Sequence, residues 1–258
     1  MSNIHPTAII DSSADLADDV EVGPYSIIGP KVKVDSGCKV EGHAVVKGPS
    51  TFGKNNHIFQ FATVGEATPD LKYKGEDTTL VVGEGNVFRE GVTVHRGTIQ
   101  DRAETTIGNN NLIMAYAHIG HDCIVGNHTV LVNNMAAAGH VVIDDWAIVG
   151  GFGLIHQHCH IGAHSFVGMG SGVKMDVAAF TTVMGAPAET RGINVEGLRR
   201  RQFSKTAIAS LRRAYTKVFR KNLLLKDAIE QLRQEAEEVA ELQVFIDSLE
   251  RAERGLTR

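Results

Sequence analysis

Twelve histidines stand in this 258-residue chain, eight of them between positions 118 and 164. Imidazole titrates near neutral pH and ligates metals, so such a concentration invites a chemical reading. The segment Ala117-His118-Ile119-Gly120-His121-Asp122 opens it. Counting in steps of 18 lines up Asp122, His140 and His158 in one series, and His121, Gly139 and Gln157 in the next. With residues 18 apart as spatial neighbours, two chemistries follow. In acyl transfer, His121 would be the general base on an attacking hydroxyl, oriented by Asp122 or another nearby acceptor. Gly139 has no side chain to obstruct a substrate carbonyl, and its N–H could stabilise the oxyanion. The other chemistry is a metal site built from several imidazoles. Any one of these histidines taken alone is better explained as a solvent-facing strand or turn residue. Their register is what argues for a site.

The step of 18 comes from the elements that must carry these residues. From Ile107, every sixth position to Val173 is a large aliphatic, Ala137 excepted. An earlier run, Ile4 to Val64, keeps the same step through eleven positions. Neither an α-helix nor an antiparallel sheet has a strict period of six. A triangular β-solenoid does: each hexad gives a short strand and a turn, and three hexads close a coil. Adjacent coils lie about 4.8 Å apart. The run breaks at residues 66–80, a polar stretch read as an external loop, and again near 98–106, where the phase shifts by one. Twenty-six hexads make about nine coils, ending near residue 180.

Beyond Pro187 the period becomes helical. Ser204 is a candidate N-cap for a helix through Ile208, Leu211, Tyr215, Val218 and Phe219. Two further patterns use Ala228, Ile229 and Leu232, then Val239 to Leu249, closed by Gly255. The chain thus divides into a β-solenoid, residues 1–190, and a helical domain, 191–258, capping its open end. Cys38, Cys123 and Cys159 each lie four residues after a ladder aliphatic, a position otherwise held by small residues. They read as core fillers, not as nucleophiles or a disulfide. No apolar run approaches the roughly 20 residues of a membrane span, and no leader is evident, so a cytoplasmic location is expected. Residues 191–226 hold eleven Lys or Arg against one acid, Glu196. Aromatics to stack bases are sparse there, so nucleic acid is a poor fit and an acidic protein a better one.

Zinc-dependent carbonic anhydrases built on such solenoids use a histidine pair five apart, with a third histidine 36 residues before it. His128 and His164 have the 36-residue spacing, but position 169 is Met, and no metal is expected. A different resemblance covers nearly the whole chain in order. The stretches QFATVGE (60–66), DLKYKGE (70–76), TVHRGT (93–98), AHIGHDCIVGN (117–127), AGHV (138–141), HQHCHIGAH (156–164) and INVEGLRRRQFS (193–204) carry it. Together they resemble the UDP-N-acetylglucosamine O-acyltransferases of bacterial lipid A synthesis. The resemblance implies a left-handed parallel β-helix, a homotrimer with sites in clefts between solenoids, and no cofactor beyond the donor's own phosphopantetheine. It implies transfer of a 3-hydroxyacyl group from acyl carrier protein to the glucosamine 3-hydroxyl of UDP-N-acetylglucosamine. His121 would be the base and Gly139 the oxyanion donor, with His118 and His140 around the substrate. Asp70 and Lys72 would reach the sugar nucleotide, and His156 and Gln157 the diphosphosugar. Asn194, Glu196, Arg200 and Arg201 would serve the uridine and phosphate end, and the basic segment would dock the acidic carrier protein.

One departure bears on the acyl chain. Ala115, Asn133, Gly151 and Met169 share a series of 18, a candidate wall of the acyl groove. Family members can have glycine in place of Met169. A methionine would close the groove one rung earlier, about 4.8 Å or about four carbons, favouring acyl groups of about ten carbons over about fourteen. The bland alternative is that Met169 turns outward. Two competing readings remain. One is a related hexapeptide acyltransferase using coenzyme A or an amino-sugar acceptor. The pathway's N-acyltransferase carries an N-terminal uridine-binding domain, for which a ladder starting at Ile4 leaves no room. The other is a non-catalytic scaffold, which would need neither the histidine cluster nor the loops.

Overall fold

The computed structural model describes residues 3–221 and 223–258. From Asn3–Ile4 to Gly172–Val173 the chain forms strands of two to four residues, each turning into the next. They stack into three parallel sheets, here faces A, B and C, visited in that order by successive strands. The product is a parallel β-helix. Regular pairing joins residues 18 apart, as in Ile119 with Ala137 and Val125 with Ile143. Across the first interruption Val64 pairs with Val94, and across the second Val94 pairs with Ile119. Both inserted segments therefore bulge outward without disturbing the faces.

The period of six follows from what each position meets. Ladder aliphatics such as Ile113, Ile119, Leu131 and Val149 are wholly buried between the faces. The residue four places on lies inside a corner, where little volume remains, and Ala44, Ala62, Ala117, Ala147 and Ser165 fill it. Cys38, Cys123 and Cys159 are buried there as free thiols. Burial pushes Cys123 up to about 12, far from a reactive thiolate. Where this inner position is asparagine, the rungs are also joined by polar contacts. Asn56 Oδ1 accepts from Asn86, Asn86 Oδ1 from Asn111, and Asn111 Oδ1 from Thr129. In the first coil the ladder residue Ile4 is exposed, as is Ile9, which lies on the outward phase of its strand beside the inward Ile10.

Most corners turn through a residue with left-handed backbone, Asp122, His140 and His158 among them, with φ near +60°. That conformation costs an ordinary L-residue about 1 kcal/mol or more. Here it is repaid by stacking between rungs, such as His140 on His158 at 4.3 Å and His128 on Trp146 at 4.2 Å.

After the last coil the chain does not pass straight to helix. Thr181–Met184 continues face A and pairs antiparallel with Glu189–Ile193, a hairpin no hexad count can find. Four helices follow: α1 (Val195–Arg200), α2 (Lys205–Arg220), α3 (Leu225–Ala236) and α4 (Ala240–Glu250). Ser204 caps α2 by accepting from Ala207 N at 3.0 Å. Leu211, Ala214, Leu232, Phe245 and Ile246 form a separate core against Phe180. Gly255 does not close α4, which ends at Glu250. Its carbonyl instead accepts from Asp176 N, and the Asp176 carboxylate accepts from Arg254 N, clasping the tail to the solenoid. Among the described residues no helix is long and apolar enough to cross a membrane.

Candidate active site

His121 and Asp122 occupy the corner between faces B and C, in the turn joining His118–Ile119 to Ile124–Val125. His140 N bonds to His121 O, and His158 N to Gly139 O, so the two 18-residue series do lie side by side on this corner.

Asp122 is buried and held from several directions. Its oxygens accept from Thr98 N at 2.9 and 3.0 Å and from Thr98 Oγ1 at 2.6 Å, and its own N–H donates to Thr105 Oγ1. The remaining partner of the carboxylate is His121 Nδ1 at 2.8 Å. Facing an acceptor already fixed by other donors, Nδ1 carries the ring proton, and Nε2 keeps its lone pair. That lone pair faces the outside of the corner, where Asp70 Oδ2 lies 3.9 Å away. Gly139 sits directly beneath the ring: a Cβ there would lie 2.5 Å from both Cε1 and Nε2. Among the described residues its N–H donates to no acceptor.

The surrounding histidines are each tied. His118 Nδ1 meets Thr93 Oγ1 at 2.8 Å, and its ring stands edge-on to His95. Burial, with His121 nearby, lowers the pKa of His118. Burial and then the neighbouring His118 lower His95 to about 4. His140 bonds Asp101 Oδ2 at 2.6 Å, stacks on His158 and stands edge-on to His121. His121, Asp122 and His140 bring possible ligand atoms within 4.8 Å of one another. Hydrogen bonds to Thr98, Asp101 and within the His121–Asp122 pair already account for that cluster. His156 and Gln157 are exposed one rung further on, His156 Nδ1 donating to Gln157 O. In the external loop, Asp70 Oδ1 accepts from Lys72 N, while Lys72 itself is exposed.

The other candidates lie on different corners. Gly151 and Met169 occupy turns between faces A and B, in register through Gly170 N to Gly151 O. The Met169 side chain points out of the solenoid, 78% exposed in the single chain, beside exposed Phe152. Asn194 and Arg201 sit at the corner between faces C and A, and both are engaged by their own chain. Asn194 caps α1 through Gly197 N and donates to His164 O. Arg201 lies over the Trp146 ring and donates to Trp146 O. Glu196 pairs with Arg199 at the surface, and exposed Arg200 lines a cavity with Ile148, Phe166 and Thr182. Arg212, Arg213 and Lys217 of α2 and Lys221 just past its end border a basic recess, whose one acid, Glu235, pairs with Lys217 at 2.7 Å.

Thr98, Thr105 and Asp101 were not singled out by sequence. Thr98 and Asp101 belong to the second interruption, where counting by six no longer assigns neighbours. The available signal was that this insertion leaves the ladder one rung before His121.

Fold and corner together define an acyltransferase of the hexapeptide-repeat class. Residues 104–134 match the family Bacterial transferase hexapeptide (six repeats), and 176–257 match Udp N-acetylglucosamine O-acyltransferase, domain 2. A relative from Stutzerimonas stutzeri, named acyl-(acyl-carrier-protein)–UDP-N-acetylglucosamine O-acyltransferase, is 58% identical over 258 residues, covering all of both chains. One of the same name from Pseudomonas aeruginosa is 59% identical over the same span. The solved structure of LpxA from Acinetobacter baumannii is 50% identical, with a TM-score of 0.97 across 99% of this chain and 100% of that one. The chain belongs to the acyl-(acyl-carrier-protein)–UDP-N-acetylglucosamine O-acyltransferase family.

Proposed function

We propose that the chain transfers a 3-hydroxyacyl group from acyl carrier protein to the 3-hydroxyl of UDP-N-acetylglucosamine, the opening step of lipid A synthesis. The observation that carries this reading is a histidine with a free Nε2, locked from behind by a buried carboxylate and lying over a bare glycine. His121 Nε2 takes the proton of the sugar hydroxyl as its oxygen attacks the thioester carbonyl. The new C–O bond leaves a negative charge on the carbonyl oxygen, which the Gly139 N–H stabilises. As the C–S bond breaks, His121 returns the proton to the departing thiolate. Asp122 holds the tautomer and stabilises the imidazolium without taking the proton.

In the same reading Asp70 and Lys72 meet the sugar, with His118 and His140 lining its place. His156 and Gln157 contact the diphosphosugar, and Glu196 and Arg200 serve the nucleotide end. Asn194 and Arg201 join that end through groups not used by their internal bonds. The basic recess on α2 docks the acidic carrier protein. The solenoid winds left-handed through about nine coils and gives way near residue 190 to the helical domain. The enzyme works in the cytoplasm as a homotrimer, since the three groups of candidates occupy three corners that one prism cannot bring together.

Acyl transfer by wild type and His121→Ala tests the base. A loss of about a thousandfold is expected, and activity surviving the substitution would remove His121 from that role. Met169 does turn outward, so in this reading it acts as a ruler only by closing a groove against a neighbouring solenoid, favouring acyl groups of about ten carbons. Competition between donors of different length on Met169→Gly should show preference moving to longer chains, and unchanged preference ends the ruler idea.

A further inference from the structure

Residues 67–78 leave the solenoid between the strands Thr63–Glu66 and Thr79–Val82, and this excursion carries Asp70 to His121. Its polar contacts are mostly internal. Thr68 Oγ1 accepts from Asp70 N, Asp70 O from Tyr73 N, and Glu76 Oε2 from Lys74 N. The Tyr73 hydroxyl donates to Glu76 O at 3.0 Å. Such a segment has a fixed shape but needs something to fix its place. One tie, Lys31 to Asp77, joins two largely exposed side chains at 3.3 Å and contributes little.

The buried tie is Arg96, only 7% exposed. Its Nη1 donates to Gly65 O at 2.5 Å and its Nη2 to Tyr73 Oη at 3.2 Å, while its backbone N–H donates to Glu66 O. One guanidinium thus grips both the root of the loop and its midpoint. The root itself permits no drift: Gly65 has φ +83°, and a Cβ there would lie 2.3 Å from Lys47 O. Among the described residues its guanidinium bonds a carbonyl and a hydroxyl but no carboxylate, and its buried Nε has no acceptor. An unpaired buried cation is costly. Neither the hydrophobic core nor the His121–Asp122 pair requires one at this position.

We propose that Arg96, acting through Tyr73, is a positioning residue that holds the loop so that Asp70 stands over His121 Nε2. Tyr73 and Asp70 are joined by a single turn, Tyr73 N to Asp70 O at 3.0 Å, so displacement of one moves the other. The inference rests on the reading above in which Asp70 contacts the sugar. It adds the strut, two residues that touch no substrate yet set where the acceptor lies.

Tyr73→Phe removes one hydroxyl and leaves the ring. In steady-state transfer it should raise KM for UDP-N-acetylglucosamine about fivefold, with KM for acyl carrier protein unchanged. In an Asp70→Asn background the same substitution should change KM less than about twofold, because the two act in series. Arg96→Lys keeps the charge, loses the fork, and should reproduce the Tyr73→Phe effect. Hydrogen exchange judges the strut apart from catalysis: amides of residues 67–77 should exchange faster in Tyr73→Phe while the solenoid stays protected. An equal effect in both backgrounds, a normal KM in Arg96→Lys, or unchanged loop exchange overturns the proposal. A wild-type protein that fails to acylate UDP-N-acetylglucosamine would sink the parent reading, and the exchange experiment would still decide the strut.

Discussion

Asp122 has no freedom to leave His121, because Thr98 occupies its oxygens from the opposite side. The same closeness makes Gly139 intolerant of any side chain. Gly139→Ala should fold, since the change lies on an outer corner, yet displace the ring by about 1 Å and cost about a hundredfold in kcat. Circular dichroism and steady-state kinetics on one preparation check both halves. Two histidines outside the dyad bear on stability. Burial first, then His118, holds His95 at about 4, and burial first, then Arg201, holds His164 at about 4. The unfolded chain protonates these groups near 6.5. Protons therefore favour unfolding as the pH falls through that window. Full stability is present above pH 6.5, and Tm should drop towards pH 4, with a shallower slope in His95→Gln and His164→Gln. The pairing of His121 with Gly139 was legible from register alone. Asp122 could be read only as one of the acceptors able to orient His121. What fixes it there, Thr98, was not legible, because it stands in an insertion where sequence distance stops mapping onto space.

At the scale of elements, the strict step of six fixed three faces, inward aliphatics and small corner residues, because a two-residue strand leaves no slack in register. Cys38, Cys123 and Cys159 could be read as fillers for that reason. Helices α2, α3 and α4 were legible from apolar spacing, and Ser204 from its hydroxyl ahead of a helical run. What escaped was short or compensated. Helix α1 has six residues, too few to show a period. The hairpin Thr181–Ile193 is antiparallel and keeps no hexad, and Gly255 turns the tail back to Asp176 instead of ending a helix. The two interruptions of the ladder were read as loops, but their purpose appears only in three dimensions. One delivers Asp70 and the other Thr98 and Asp101 to the same corner.

At the scale of the molecule, the residues assigned to one reaction are spread over three edges of a prism. On the proposed reading, a site shared between neighbouring copies would reunite them. Two variants, His121→Ala and Arg200→Glu, should each be nearly inactive alone. Co-expressed in equal amounts, they should regain about a quarter of wild-type activity, the statistical share of clefts in a trimer that combine both intact residues. No recovery in purified mixed assemblies would confine the site to one chain. The rung of eighteen residues has one more consequence. Splicing out residues 23–40 would shorten the rod by a storey, return every later side chain to its own wall and leave the His121 corner untouched. A cut of seventeen would turn the remaining storeys inside out. The distance from the rod's open foot to its reactive corner can therefore be set in whole steps, independently of the reaction performed there.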